Sequence, residues 1–376
     1  MLQAIIMRFA ISTLLSSVLI LFSSTSNSRY LKNAAASVHD VVLPVRLNTK
    51  LLEKILFERK STQFNLGKTR KGRDVEAYYF PGTSDKKALI IGGMHGSELS
   101  SIEVAKELLE QLNNGDSIYY NVIIIPSLFP DNAETARQYP QMIGDVRNVG
   151  RYSFAGAIDP NRQMPSPGSA FDENASLDHA GRKIETENAL LLELIEEYRP
   201  QRIVNLHAIR NAGNAGVFAD PRTDHRGIAL GYETDSSLAV SIAKAIYEKG
   251  GHVPGNGLTK KPCALYYKDP PAAPAGLMQK RNFSGSPMPG HRGGGVSLGT
   301  WAATAVYDEK DPGNNRDAIR ILTIEFPGSK RPIDYRKDLQ PFYKKQVKLY
   351  ASALKTVFLG EFFVEDRASL LTAGTF

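Results

Sequence analysis

The chain has 376 residues, is 42% apolar and carries 46 basic against 39 acidic residues, a formal net charge of +7. Its single cysteine, Cys263, excludes an intramolecular disulfide framework, and the apolar content is enough for a sizeable core. It has no block of five or more like charges and no zinc-finger spacing, which argues against nucleic-acid binding. The positive charge favours anionic partners such as cell-wall polymers, although an ordinary solvated surface gives the same balance.

The first 28 residues have the pattern of a secretory signal peptide. An apolar run over residues 11–22 follows Arg8 and precedes small polar residues around Ser26. A helix needs roughly 20 residues to span a bilayer, so this run is too short. We therefore predict that residues 1–28 are cleaved, which leaves no stable membrane span, and that the protein is periplasmic or secreted from a bacterial envelope. An uncleaved anchor is the alternative.

Beyond this segment the pattern predicts one large domain. A lead-in over residues 29–61 includes a helical stretch, and a tail begins at residue 361. Residues 64–78 hold two strand-like pieces around a basic turn at Gly72, the signal of a hairpin. The main domain is predicted over residues 62–360.

Apolar runs alternate with amphipathic helices along the main domain. The predicted strands are residues 88–93, 119–126, 202–206 and 321–327, and the predicted helices are residues 98–112, 184–198, 236–249 and 343–359. This order predicts an α/β fold with a mixed, mostly parallel twisted sheet and helices on both faces. Residues 126–181 and 252–300 are rich in Gly, Pro, Asn and Asp and are predicted as loops, the second as a rim or lid over a pocket.

The glycine-rich turn at residues 92–98 is the first candidate site. His95 leaves the end of a strand and Glu98 follows three residues later in the first helical turn, so the imidazole and the carboxylate can converge on one point. A catalytic zinc site takes two such ligands, a third from elsewhere, and a water. His207 also lies at the end of a strand, where ligands of parallel sheets gather. Each of these features is weak by itself.

Two further features carry polar chemistry. The buried-looking last strand contains Glu325, a carboxylate that needs a partner or a function. The loop over residues 126–181 contains Asn161 beside Arg162, which could form a fork for a carboxylate or simply a turn.

Taken in order, the His95-x-x-Glu98 pair, Asn161 with Arg162, His207 and Glu325 resemble the zinc carboxypeptidase family, the metallocarboxypeptidases related to carboxypeptidase A. The resemblance covers roughly residues 62 to 328. It implies a three-layer fold and one Zn²⁺ per chain, held by His95, Glu98 and His207. A peptide substrate is implied as the partner.

The resemblance also implies the other catalytic roles. Glu325 matches the general base, which takes a proton from the attacking water and gives it to the leaving amine. Asn161 and Arg162 match the clamp for a substrate carboxylate. An arginine of the long loop, Arg147 or Arg151, would stabilise the oxyanion, and the sequence does not choose between them.

One departure from digestive-type relatives points to a particular branch. Where they bear a tyrosine before the catalytic glutamate, this chain has Val296-Ser297-Leu298-Gly299-Thr300-Trp301. This segment resembles the murein peptide amidases, which cleave the bond between γ-D-glutamate and a diamino acid in cell-wall peptides. It implies that Thr300 and Trp301 bind the substrate. Tyr266 and Tyr267 are the candidates to replace the missing tyrosine.

The leading hypothesis is therefore an exported zinc-dependent amidase or carboxypeptidase of peptidoglycan peptides. The alternatives are a general metallocarboxypeptidase, a small-molecule N-deacylase of the aspartoacylase and succinylglutamate desuccinylase type, and a wall-binding module without catalysis. The sequence leaves the bond that is cut and the oligomeric state open.

Overall fold

A computed structural model describes residues 46–115, 117–143, 149–152, 158–258, 294–328 and 340–361. The predicted signal peptide lies outside these ranges, as do Arg147, Tyr266 and Tyr267. The described residues all belong to one compact unit, Val45–Phe376. Among them, no helix combines the length and the apolar character needed to cross a membrane. The predicted domain bounds stay predictions.

The described residues form a seven-stranded sheet in the order β1-β2-β4-β3-β5-β7-β6. The central strands β4, β3, β5 and β7 run parallel, whereas β1, β2 and β6 are antiparallel to their neighbours. The parallel strands are buried over nearly their whole length because both of their faces are covered. The strands are β1 Thr62–Lys68, β2 Asp74–Phe80, β3 Lys87–Ile91, β4 Asn121–Ile125, β5 Arg202–Ile209, β6 Gly216–Ala219 and β7 Arg320–Pro327.

Helices cover both faces of this sheet and bury one core on each. One core joins α2, α5 and α7 to the sheet, and the other joins α1, α4 and α6 to the opposite face. This confirms the predicted three-layer α/β fold with helices on both faces. The helices are α1 Thr49–Glu58, α2 Leu99–Asn113, α3 Pro130–Gln138, α4 Thr186–Tyr198, α5 Tyr232–Glu248, α6 Leu298–Ala302 and α7 Gln340–Ala353, with a π-helical turn at Leu354–Phe358.

The structure corrects the prediction at four elements. Helix α6, Leu298–Ala302, begins within residues 252–300, which composition predicted as loop. Helix α3 lies within residues 126–181, which composition predicted as loop; it begins at Pro130 and buries little apolar surface beyond two alanines, so it gives no periodic signal. Strand β6 was missed because it is only four residues long. Strand β5 continues to Ile209, two residues beyond His207, so this histidine lies within the strand and not after it.

A buried carboxylate at the start of α4 makes the stability of this fold depend on pH. Glu187 is 5% exposed, and burial, reinforced by the carboxylates of Glu185 and Asp131, raises its pKa from 4.5 to about 7. Because the folded state favours the protonated form, this group stabilises the fold at low pH. That contribution, of about 3 kcal/mol, is lost as the pH rises from 4.5 through 7.

We therefore expect Glu187→Gln to gain stability over the wild type at pH 8 and to show little difference at pH 4.5. Urea unfolding at both pH values measures this. The matched control is Glu197→Gln, which makes the same change at an exposed position of the same helix. Equal pH dependence in the two variants would contradict the burial of Glu187.

Candidate active site

The turn after β3 requires its glycines. Gly93 has a φ of +65°, which favours glycine, and a Cβ on Gly96 would collide with the backbone of Asn132 and Ala133 at the start of α3. This close approach fixes the path of the chain between β3 and α2. As a result His95 lies at the carboxyl end of β3, and Glu98 is the residue that caps α2.

His95, Glu98 and His207 come together as the sequence predicted. The Nδ1 atom of His95 lies 2.9 Å from Oε1 of Glu98, and the Nδ1 atom of His207 lies 2.9 Å from its Oε2. All three side chains are buried, and one potential ligand atom from each lies within 4.8 Å of the others. Two imidazoles and a carboxylate are a donor set of catalytic zinc sites, so these residues fit one Zn²⁺.

A second layer of polar groups holds this triad. Oδ1 of Asp159 lies 2.8 Å from Nε2 of His95, and the backbone N–H of Ala208 donates to Oε2 of Glu98 at 3.0 Å. Arg151 donates to Oε1 of Glu98 at 2.8 Å and to Oδ2 of Asp159 at 3.4 Å. Asp159 was missed as a functional residue, although it lies only two residues before Asn161.

The charges in this cluster are tightly balanced. Burial alone would lower the pKa of His95, but the carboxylates of Glu98 and Asp159 raise it to about 9. The same contacts overcome the effect of burial on the acids and hold the pKa of Glu98 and of Asp159 well below their usual range. The triad therefore holds a proton at neutral pH when no cation is bound, and a divalent cation must displace it.

Asp159→Asn is expected to weaken zinc binding by about 10- to 100-fold, because this carboxylate orients His95 and raises its basicity as a ligand. Competition with a chelating dye measures the affinity. Asp85→Asn, at a fully exposed carboxylate, is the control. If both variants bound zinc like the wild type, Asp159 would have no role in positioning His95.

Glu325 lies beside the triad because of the strand register. Strands β5 and β7 are parallel neighbours, and Glu325 is aligned with His207 across them. Its side chain is half-buried. Burial raises its pKa and the nearby carboxylate of Glu98 adds to this, while His207 works in the opposite direction. A carboxylate with a raised pKa next to the triad suits a group that accepts and returns a proton.

Asn161 and Arg162 lie in a 3₁₀ turn at the edge of the triad. Nδ2 of Asn161 lies 3.3 Å from Nε2 of His207, and its Oδ1 accepts a hydrogen bond from the backbone of Leu298 at 3.0 Å. The half-buried guanidinium of Arg162 donates to the carbonyl of Asn161 at 2.5 Å. The structure therefore places the predicted clamp beside the triad. Its grip on a carboxylate stays a prediction.

If Arg162 binds a substrate carboxylate, Arg162→Ala should raise KM by about 10- to 100-fold, the range expected for a lost charged hydrogen bond. Steady-state kinetics on a peptide with a free C-terminus, compared with its C-terminal amide, separates this role from a structural one. The variant should lose the preference for the free acid, and an unchanged preference would argue against the clamp.

Thr300 and Trp301, the two residues of segment 296–301 that were predicted to bind substrate, differ in their burial. Thr300 is half-buried, and its hydroxyl lies 3.0 Å from that of Ser297, which caps α6. Trp301 was predicted to bind substrate, but it has no exposed surface and its indole N–H donates to the carbonyl of Ser169 at 2.8 Å. This prediction was wrong for Trp301, because the indole fills the core beneath α6.

Of the two arginines proposed to stabilise the oxyanion, the structure describes only Arg151. Arg151 reaches the triad through its contact with Glu98. Arg147 lies outside the described residues, together with Tyr266 and Tyr267. The structure thus brings Arg151 to the site, and its role there stays a prediction.

A buried His-Glu-His triad with a neighbouring carboxylate, at one edge of an α/β sheet, defines the class of a zinc-dependent hydrolase. A family model, Peptidase_M14, described as zinc carboxypeptidase, matches residues 52–226, a little under half of the chain. This range includes the triad and the Asn161–Arg162 pair. Over this range the chain is similar to the zinc carboxypeptidases. A search of curated proteins finds no match.

Three solved structures that the fold resembles are distant from this chain in sequence. A murein-tripeptide amidase from Escherichia coli O157 is 17% identical, with 77% of this chain and 91% of that chain covered and a TM-score of 0.39. A metallo-carboxypeptidase from Burkholderia cenocepacia is 13% identical, with 81% and 67% covered and a TM-score of 0.41. Carboxypeptidase A from Helicoverpa armigera is 14% identical, with 81% and 71% covered and a TM-score of 0.41.

Proposed function

We propose that this zinc-dependent hydrolase is exported and cuts the amide bond between γ-D-glutamate and a diamino acid in peptides derived from peptidoglycan. The observation that carries the proposal is the segment over residues 296–301, which resembles the murein peptide amidases and contacts the clamp through Leu298 and Asn161. The signal-like residues 1–28 and the net charge of +7 support an exported enzyme that meets anionic wall peptides.

Each role follows from the chemistry of its side chain. His95, Glu98 and His207 would hold one zinc ion, which would supply Lewis acidity to the scissile carbonyl and to water. Glu325 accepts the proton of the attacking water and delivers it to the leaving amine. Arg162 and Asn161 hold a carboxylate of the substrate, and Arg151 stabilises negative charge at the carbonyl oxygen.

A second carboxylate near the clamp supports a substrate with a positive group. Asp220 is 8% exposed, accepts a hydrogen bond from Thr323 at 3.1 Å, and lies within electrostatic range of Arg162. Burial raises its pKa to about 6, so it is largely ionised at neutral pH. The backbone of Gly299 packs directly against this carboxylate, where a Cβ would collide with it. A negative charge here favours the ammonium of a diamino acid.

Mass spectrometry of the products tests this proposal. The mature, zinc-loaded chain is incubated with purified wall peptides of defined length, with a chelated sample as control. We expect release of the diamino acid, or of a fragment that begins with it, and loss of this activity on chelation.

Removal of C-terminal residues from ordinary peptides, without cleavage of wall peptides, would instead favour a general carboxypeptidase. In that case the same clamp would bind the C-terminal carboxylate of the peptide. Cleavage of small N-acyl amino acids alone would favour an N-deacylase. Either result would overturn the proposed substrate.

A further inference from the structure

A second cleft lies at the same edge of the sheet as the triad. It has a volume of about 390 Å³ and lies between the β1–β2 turn and the first residues of α3 and α4. Strand β2 is antiparallel to β4, so this turn projects beyond the carboxyl end of β4, on the side where His95 follows β3. The catalytic roles assigned above do not use this cleft.

The two sides of the cleft carry opposite charges. Arg70 and Lys71 lie on the turn, whereas Asp131, Glu185 and Glu187 lie at or near the starts of α3 and α4. Asp131 forms an ion pair with Arg73 at 3.1 Å, outside the lining of the cleft. Phe129 supplies an apolar wall. The cleft therefore offers a negative side, a positive side and an apolar surface to one ligand.

Glu187 is the group that points to a ligand. Only 5% of this residue is exposed, yet it forms part of the lining of the cleft. Its own backbone N–H donates to the carboxylate, and the positive charge of Arg70 lies within electrostatic range of it. Burying a carboxylate is costly, and an ammonium group in the cleft would offset this cost.

The geometry points to a second binding site for a zwitterionic amino-acid group, with its ammonium against Glu187, its carboxylate toward Arg70 and Lys71, and its aliphatic part against Phe129. The ligand is either a free amino acid or the far end of a peptide whose other end occupies the triad. Asn132, which lines the cleft, packs against Gly96 of the zinc-binding turn, so occupation of the cleft can be sensed there. This site does not depend on the substrate proposed above.

Isothermal titration calorimetry of the zinc-loaded chain with L-norleucine tests the site. Pentylamine, which lacks the carboxylate, and hexanoate, which lacks the ammonium, are the matched ligands. We expect norleucine to bind more tightly than both. Glu187→Gln should lower the affinity for norleucine by about tenfold or more, because it removes one charged contact. Arg70→Ala removes the other charged contact and should lower the affinity by a smaller factor. Arg70 lies on an exposed turn, so its substitution should leave the fold intact.

Two further variants locate the binding. Glu197→Gln, on the exposed side of the same helix, should bind norleucine like the wild type, and so should Arg162→Ala, which disables the clamp beside the triad. Absence of saturable norleucine binding, or equal affinity in the Glu187→Gln, Arg70→Ala and Glu197→Gln variants, would overturn the proposal. Loss of binding in Arg162→Ala alone would do the same, because it would place the ligand at the triad.

Kinetics then identify the source of the ligand. If a peptide supplies it, Glu187→Gln should raise KM for peptides with a free zwitterionic far end and leave KM unchanged for the same peptides with that end acetylated. If the ligand is a free amino acid, norleucine should change the rate on short peptides in the wild type and not in Glu187→Gln. Neither measurement needs a wall peptide, so failure of the proposed substrate would not affect this test.

Discussion

Glu325→Gln is expected to lower kcat by about 10²- to 10⁴-fold while the chain still binds one zinc ion. The amide keeps the size of the side chain beside His207 but cannot accept the proton of the attacking water. Rates of peptide hydrolysis, together with zinc content by atomic emission, measure the two effects separately.

The control for this substitution is Glu248→Gln, which removes the same charge at the exposed end of α5. It should hydrolyse peptides like the wild type. If Glu325→Gln were equally active, Glu325 would not be the general base. If it lost zinc as well as activity, its role would be to hold the metal site together.

His207→Ala is expected to remove stoichiometric zinc and, with it, all hydrolysis above the metal-free background. It deletes one of the three ligands and leaves Glu98 without one of its two histidine partners. In the wild type, zinc at 100 times its Kd should stabilise the fold by about 2.7 kcal/mol. This gain should disappear in the variant.

Thermal unfolding with and without added zinc measures that difference. His225→Ala, at an exposed histidine that stacks on Tyr307, is the control and should keep the full zinc response. A His207→Ala chain that still bound zinc tightly would show that the metal is held by other residues.

The parts of the site that the sequence predicted are those fixed by short-range rules. His95 and Glu98 are three residues apart at a strand-to-helix turn, so local geometry alone brings them together. The sheet then brings in His207 and Glu325, since parallel strands present their carboxyl ends at one edge. The register that aligns these two residues cannot be obtained from either strand alone.

The parts that sequence reasoning missed depend on tertiary contacts. Asp159 is 64 residues from His95, and nothing in its local sequence indicates that the two side chains meet. Trp301 was assigned to substrate binding from the family resemblance alone, but helix α6 turns its indole into the core. Helix α3 was not predicted because its buried side is made of alanines and polar residues, which give no apolar periodicity.

The position of the metal tests the zinc hydrolase assignment most directly. A crystal of the zinc-loaded protein, measured with X-rays on both sides of the zinc absorption edge, locates the ion by its anomalous signal. We expect one peak per chain, about 2.0–2.2 Å from a nitrogen of His95, a nitrogen of His207 and an oxygen of Glu98. A peak elsewhere, or none at full zinc loading, would contradict the assignment.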